Sequence, residues 1–238
     1  MNKTEHVRFL TEISITPQKS SISKFYINFL FSTFETHSLN TFFTLFVFMH
    51  FSQTEKKDLL RAWLLISLAF AIAFHGFTLS LLFLIPFLVS AFTAGIGFLL
   101  HELAHKAVAQ RYHCWAEFRA FDKMLWLAVL FSFFGFIFAA PGAVMIKGLI
   151  STRKHGHIAL AGPLMNIVLG FVFLFLAKMS VLPLFALEGM RINFLLGMFN
   201  LLPIFGLDGT QVLAWDKKVY GISLGVAILF VFGMGFII

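Results

Sequence analysis

The chain has 238 residues, a formal net charge of +7, 59% hydrophobic residues with 34 phenylalanines, and only 12% charged side chains. Several stretches exceed the ~18 consecutive apolar residues that mark a spanning helix, which excludes a soluble globular domain and predicts an all-α polytopic membrane protein embedded in a lipid bilayer. The basic excess lies in short loops between apolar runs, the pattern of cytoplasmic loops and not of a nucleic-acid surface, and the lone Cys114 excludes an internal disulfide framework.

Residues 1–24 are polar and aperiodic and read as a tail. Residues 25–51 are aromatic but interrupted by Glu35, Thr36, His37 and Asn40; their longest clean piece is too short to span, so an interfacial helix or hairpin fits better than a crossing. The start lacks the basic-then-apolar layout of a signal peptide, so the spanning helices are expected to direct insertion. Residues 1–51 are thus set apart as an N-terminal extension, and 52–238 as the working domain.

Ser52 followed by Glu55 and Asp58 has the composition of a helix start. That helix leads into a first span over 62–76, and a second span is predicted over 81–109 with a kink at Pro86. Lys56, Lys57 and Arg61 precede the first span, and Lys106 and Arg111 follow the second, so both flanks belong on the cytoplasmic side.

The run from 62 to 100 contains no Asp, Glu, Lys or Arg, and it ends at His101-Glu102-Leu103-Ala104-His105. Histidines four residues apart on a helix project from one face and can grip one zinc ion, with Glu102 placed to act on a zinc-bound water. A bland reading makes them hydrogen-bonded packing residues. Ionisable groups at membrane depth are expensive, and they mark a functional site by default.

Residues 124–146 are apolar enough to cross yet basic on both flanks, which predicts a re-entrant segment broken at Gly135 and at Ala139-Ala140-Pro141-Gly142. A plain crossing is the alternative. Further spans are predicted over 158–177, with Gly162, Pro163 and Asn166 near its start, over 192–214 after an outer loop at 178–191, and over 219–238. The expectation is about five to six transmembrane helices plus the re-entrant segment.

A catalytic zinc usually takes three protein ligands and a water. Asp208 follows 192–207, which carry no charge, and counting 1.5 Å per residue from the helix end puts it at the depth of His105. Gly206, Gly209 and Pro203 loosen the helix there. The alternative is an aspartate paired with a lysine or reaching the interface.

These residues together resemble the site-2 protease family of intramembrane zinc metallopeptidases, which carries HExxH on one core helix and Asn-x-x-Pro-x-x-x-Leu-Asp-Gly on a later one. The second signature reads here Asn200-Leu-Leu-Pro203-Ile-Phe-Gly206-Leu207-Asp208-Gly209, and Ala161-Gly162-Pro163-Leu-Met-Asn166 is similar to the family's Gly-Pro helix between them. The resemblance covers roughly 52–238, with no PDZ or CBS sequence evident. It implies one zinc per chain held by His101, His105 and Asp208, with Glu102 as general base. Asn200 is implied to hold substrate backbone or the oxyanion, a bond between helices being the alternative. It also implies a multi-pass cell-membrane protein with its active site near the cytoplasmic side. The implied substrate is another protein's transmembrane helix, cut after a first cleavage and unwound with help from strand pairing to the re-entrant region.

Two rival classes are a metal transporter and an inactive binder of membrane helices. A transporter would distribute ionisable groups over several spans, whereas 62–74, 158–177 and 221–238 carry no Asp, Glu, Lys, Arg or His. An inactive binder would not require Glu102. His155 and His157, in a basic loop, read as solvated surface.

Overall fold

The computed structural model describes residues 49–137, 141–204 and 206–233. The predicted tail and interfacial segment up to residue 48 lie outside the described residues. Residues 49–238 form one compact unit.

Helix α1, Gln53–His75, opens where its composition says it should, with the Ser52 side chain accepting from the Glu55 amide. Its buried face, Ala62, Ile66, Ala69 and Phe70, follows the helical repeat. Helix α2, Leu81–Arg111, begins as a short 3-10 turn over Leu81–Phe83 and contains a π turn over Ala91–Gly95. The predicted irregularity at Pro86 is thus found a turn later. The π turn sits where α1 presses closest: a Cβ on Gly95 would lie 2.4 Å from Ser67 Oγ, and Trp63 Nε1 donates to the Ala91 carbonyl at 3.0 Å.

Strand β1, Trp115–Ala120, pairs antiparallel with β2, Gly142–Lys147, from Trp115 opposite Lys147 to Ala120 opposite Gly142. Between them lies α3, Asp122–Ser132. Its 11 residues span about 16 Å, half the ~30 Å of a bilayer core. The apolar stretch 124–146 is therefore a short helix, a turn and a strand, with 138–140 outside the described residues. The strands on either side of α3 pair with each other, Ala120 opposite Gly142.

Helix α4, Thr152–Lys178, carries Pro163 within it and buries small residues at Gly156, Ala159, Gly162 and Gly170. These admit close neighbours. A Cβ on Gly170 would meet the Phe194 ring at 2.6 Å, and one on Gly189 would meet Phe173 at the same distance, so α4 interlocks ring-to-glycine with α5, Pro183–Asn200. Two predictions are corrected here. The loop expected over 178–191 is already helical from Pro183, a residue suited to a first turn. The single helix expected over 192–214 is two, α5 ending at Asn200 and α6, Asp208–Trp215, starting afresh. Pro203 cannot donate a helical bond, and Gly206 has φ +73, a left-handed conformation that a continuous helix does not contain.

Helix α7, Lys217–Gly233, is capped by Asp216, whose Oδ1 accepts from the Lys218 and Val219 amides at 2.8 and 3.1 Å. Among the described residues three helices, α1, α2 and α4, are long and apolar enough to cross a membrane. One core cluster packs Phe70, Phe98 and Phe118 with Leu125 and Ile192, joining α1, α2, β1, α3 and α5.

Candidate metal centre

His101 and His105 lie on one face of α2, and both are buried. Their Nε2 atoms are 3.0 Å apart. Asp208, the first residue of α6, brings Oδ2 to 3.2 Å from His101 Nε2 and 3.3 Å from His105 Nε2. Its arrival follows from the break after α5, because α6 starts afresh and packs against α4. That packing is tight: a Cβ on Gly209 would be 2.0 Å from the Leu201 carbonyl oxygen, and Trp215 fills the space above Gly156.

The far nitrogens decide the chemistry. His105 Nδ1 donates to the Ile158 carbonyl at 2.7 Å, and His101 Nδ1 donates to Asn166 Oδ1 at 2.6 Å, both acceptors on α4. Each neutral ring then offers a lone pair at Nε2. Two such lone pairs and a carboxylate oxygen within 3.3 Å of one another repel unless a cation sits among them. Zinc at ~2.0–2.1 Å from each atom of a tetrahedral set requires separations of about 3.3 Å, so the residues fit zinc.

The centre opens on a cavity of about 680 Å³ whose wall includes Glu102, Asn200, Phe70, Phe98, Val144 and Gln211. Glu102 is itself buried. A protein of Methanocaldococcus jannaschii named as a "putative zinc metalloprotease" is 39% identical over 178 residues, covering 72% of this chain and 90% of that relative. The chain belongs to that protein's family. No family model matches the sequence, and no solved structure matches it.

Of the predicted residues, His101, His105 and Asp208 converge on one point, with Glu102 beside them. Asn200 lines the cavity, but its Nδ2 donates to the Leu196 carbonyl of its own helix at 2.9 Å, not to a neighbouring helix. His157, expected to be solvated, is half buried against Tyr112, to whose hydroxyl it is hydrogen-bonded, and edge-on to Trp215 with ring centroids 4.4 Å apart.

The residues that hold the centre from behind are less visible in the chain. Asn166 reads only as part of a Gly-Pro helix, and Asn193 draws no notice, yet both are fully buried. An amide in an otherwise apolar span is the signal that could have found them. Gly162 is the third such residue: a Cβ there would lie 2.4 Å from His105 Nε2 and 2.5 Å from His101 Nε2.

Proposed function

We propose that this protein is a zinc-dependent endopeptidase of the site-2 protease type, which hydrolyses peptide bonds within the membrane-spanning segments of other proteins. The observation that carries this reading is the convergence of His101 Nε2, His105 Nε2 and Asp208 Oδ2 beside the buried Glu102, on a helix apolar enough to cross a bilayer. Zinc is the cofactor, supported by the donor geometry and by the name of the relative. When bound, it supplies Lewis acidity to the attacking water and the scissile carbonyl.

The chain's own residues do the rest. The Glu102 carboxylate takes a proton from the attacking water and returns it to the leaving amine nitrogen, so a single group serves as base and then acid. The Asn200 amide, which lines the cavity, holds substrate backbone in this reading. The cavity's largely apolar, Phe-rich lining fits an apolar substrate segment.

The short α3 between paired strands favours a re-entrant path over 124–146, and β2 lines the cavity. An unwound substrate could add to that strand's edge. Basic residues at Arg111, Lys147, Arg153 and Lys154 favour a cytoplasmic position for the end of α2 that carries the centre, in a multi-pass protein of the cell membrane.

The test is Glu102→Gln in protein purified into nanodiscs, assayed for bound zinc and for cleavage of a model transmembrane segment. Retained zinc at about one per chain with cleavage lost supports the reading. Cleavage at the wild-type rate by Glu102→Gln removes it.

A further inference from the structure

We infer that Asn166 and Asn193 form a positioning relay that fixes which ring nitrogen of His101 carries its proton, and so presents Nε2 to the metal. This rests on the metal centre described above. The two asparagines come from different helices, α4 and α5, and the histidine from a third, α2. All three side chains are buried.

Backbone carbonyls only accept, so they fix the amides that reach them. Asn193 Nδ2 donates to the Gly189 carbonyl at 2.8 Å and reaches the Thr93 carbonyl of the π turn at 3.5 Å. Its amide orientation is thereby set, and Oδ1 faces Asn166. Asn166 Nδ2 donates to that oxygen at 3.1 Å and to the Gly97 carbonyl at 3.1 Å. With both amide protons committed, Asn166 can offer His101 only its oxygen, so the 2.6 Å contact at Nδ1 is an N–H donation by the imidazole. A flip of Asn166 would leave two buried acceptors, the Gly97 carbonyl and Asn193 Oδ1, facing an oxygen. The donations thus run from the Gly189 and Gly97 carbonyls through both amides to His101, leaving the lone pair at Nε2.

The backbone is shaped around this relay. A Cβ on Gly97 would lie 2.4 Å from Asn193 Oδ1, so that position must be bare for the amide to reach its partner. The π turn at Ala91–Gly95 lies just above, and it is the kind of local departure from α geometry that recurs at functional sites. His105 needs no such relay, because its Nδ1 already meets a backbone carbonyl, Ile158. The two ligands thus reach the same tautomer by different routes, one rigid and one dependent on side chains.

The experiment compares wild type, Asn166→Leu, Asn166→Asp and Asn193→Leu by zinc competition with a chelator, by the visible spectrum of the cobalt(II)-loaded protein, and by 15N NMR of histidine in metal-free protein. The His101 signal is assigned by its loss in His101→Gln. Metal-free wild type is expected to show His101 protonated at Nδ1. Asn166→Leu is expected to lower zinc affinity about 10–100-fold and alter the cobalt spectrum, with Asn193→Leu between it and wild type. Asn166→Asp separates positioning from packing. It keeps an acceptor for His101 but abolishes the donations to Gly97 and Asn193, so it should lose thermal stability while holding zinc within about tenfold of wild type.

Equal loss of zinc in Asn166→Asp and Asn166→Leu, wild-type affinity in Asn166→Leu, or an unprotonated His101 Nδ1 in the wild type would each overturn the relay. If the Asn166 variants do not fold, the wild-type tautomer and Asn193→Leu decide. Wild type that binds no zinc yet holds His101 protonated at Nδ1 would sink the metal reading and leave the relay standing.

Discussion

Replacing Gly162 by alanine adds one methyl group at the point where α4 passes behind both imidazoles. The ideal Cβ lies 2.4 Å from His105 Nε2 and 2.5 Å from His101 Nε2. Ordinary contact for such atoms is about 3.4 Å, so relief requires relative movement of about 1 Å. A zinc site tolerates about 0.2 Å in its bond lengths. The imidazoles cannot simply back away, because the bonds from their Nδ1 atoms, at 2.6 and 2.7 Å, go to Asn166 and Ile158 on the same helix that carries the new methyl.

Overpacking of this kind costs about 1–3 kcal/mol, and if it falls on the metal-loaded arrangement, zinc affinity should drop about 5- to 150-fold. The assay is zinc competition with a chelator, beside thermal unfolding followed by circular dichroism. Gly170→Ala is the control. It lies on the same helix, and its Cβ would meet the Phe194 ring at 2.6 Å, away from the centre; it should lower the melting temperature and leave zinc affinity alone. Wild-type zinc affinity in Gly162→Ala would refute the account of the centre as held between α2 and α4.

Asp208→Ala should weaken zinc binding by more than the ~10–100-fold that loss of a ligand's hydrogen-bond partner costs, measured by the same competition. Lys106, fully buried, donates to Glu55 Oε1 and Oε2 at 2.7 and 2.6 Å, and Glu55 also accepts from the Phe118 amide. Lys106→Met alone should therefore cost about 3–5 kcal/mol of unfolding free energy, and the double change with Glu55→Leu should recover most of it; a double variant no more stable than the single one would contradict that. For topology, His113→Cys and Leu149→Cys in a Cys114→Ala background should be labelled by an impermeant thiol reagent from one side of the membrane, and Val181→Cys from the other. Labelling of 113 and 149 from opposite sides would make the segment between them a crossing.

What was legible in the sequence was what depends on neighbours along the chain. The spans containing α1, α2 and α4 follow from long uncharged runs, the HExxH pair from a four-residue helical spacing, and the start of α1 from Ser52 and Glu55. The break after Asn200 was not legible as a break, because an apolar run of that length has the same hydropathy whether it forms one helix or two. Pro203 and Gly206 signalled it, and they read as mere loosening. The pairing of β1 with β2 was hidden for a different reason: Gly142–Lys147 finds its partner more than 20 residues back, and no local pattern records that choice.

Asp208 shows how a correct destination can rest on the wrong path. Counting rise along one continuous helix put its carboxylate at the depth of His105, but the structure has no such continuous helix. The aspartate reaches the centre as the first residue of a new one, where its charge also faces the positive end of the α6 dipole. Pairing of His105 with Ile158 and of His101 with Asn166 makes α2 and α4 antiparallel, and Gly162 falls one turn from each of those two α4 partners. A single helix thus supplies both acceptors behind the imidazoles and the gap between them. The metal geometry is therefore a matter of register between α2 and α4, and a shift of one turn in either helix would cost both histidines their partners at once.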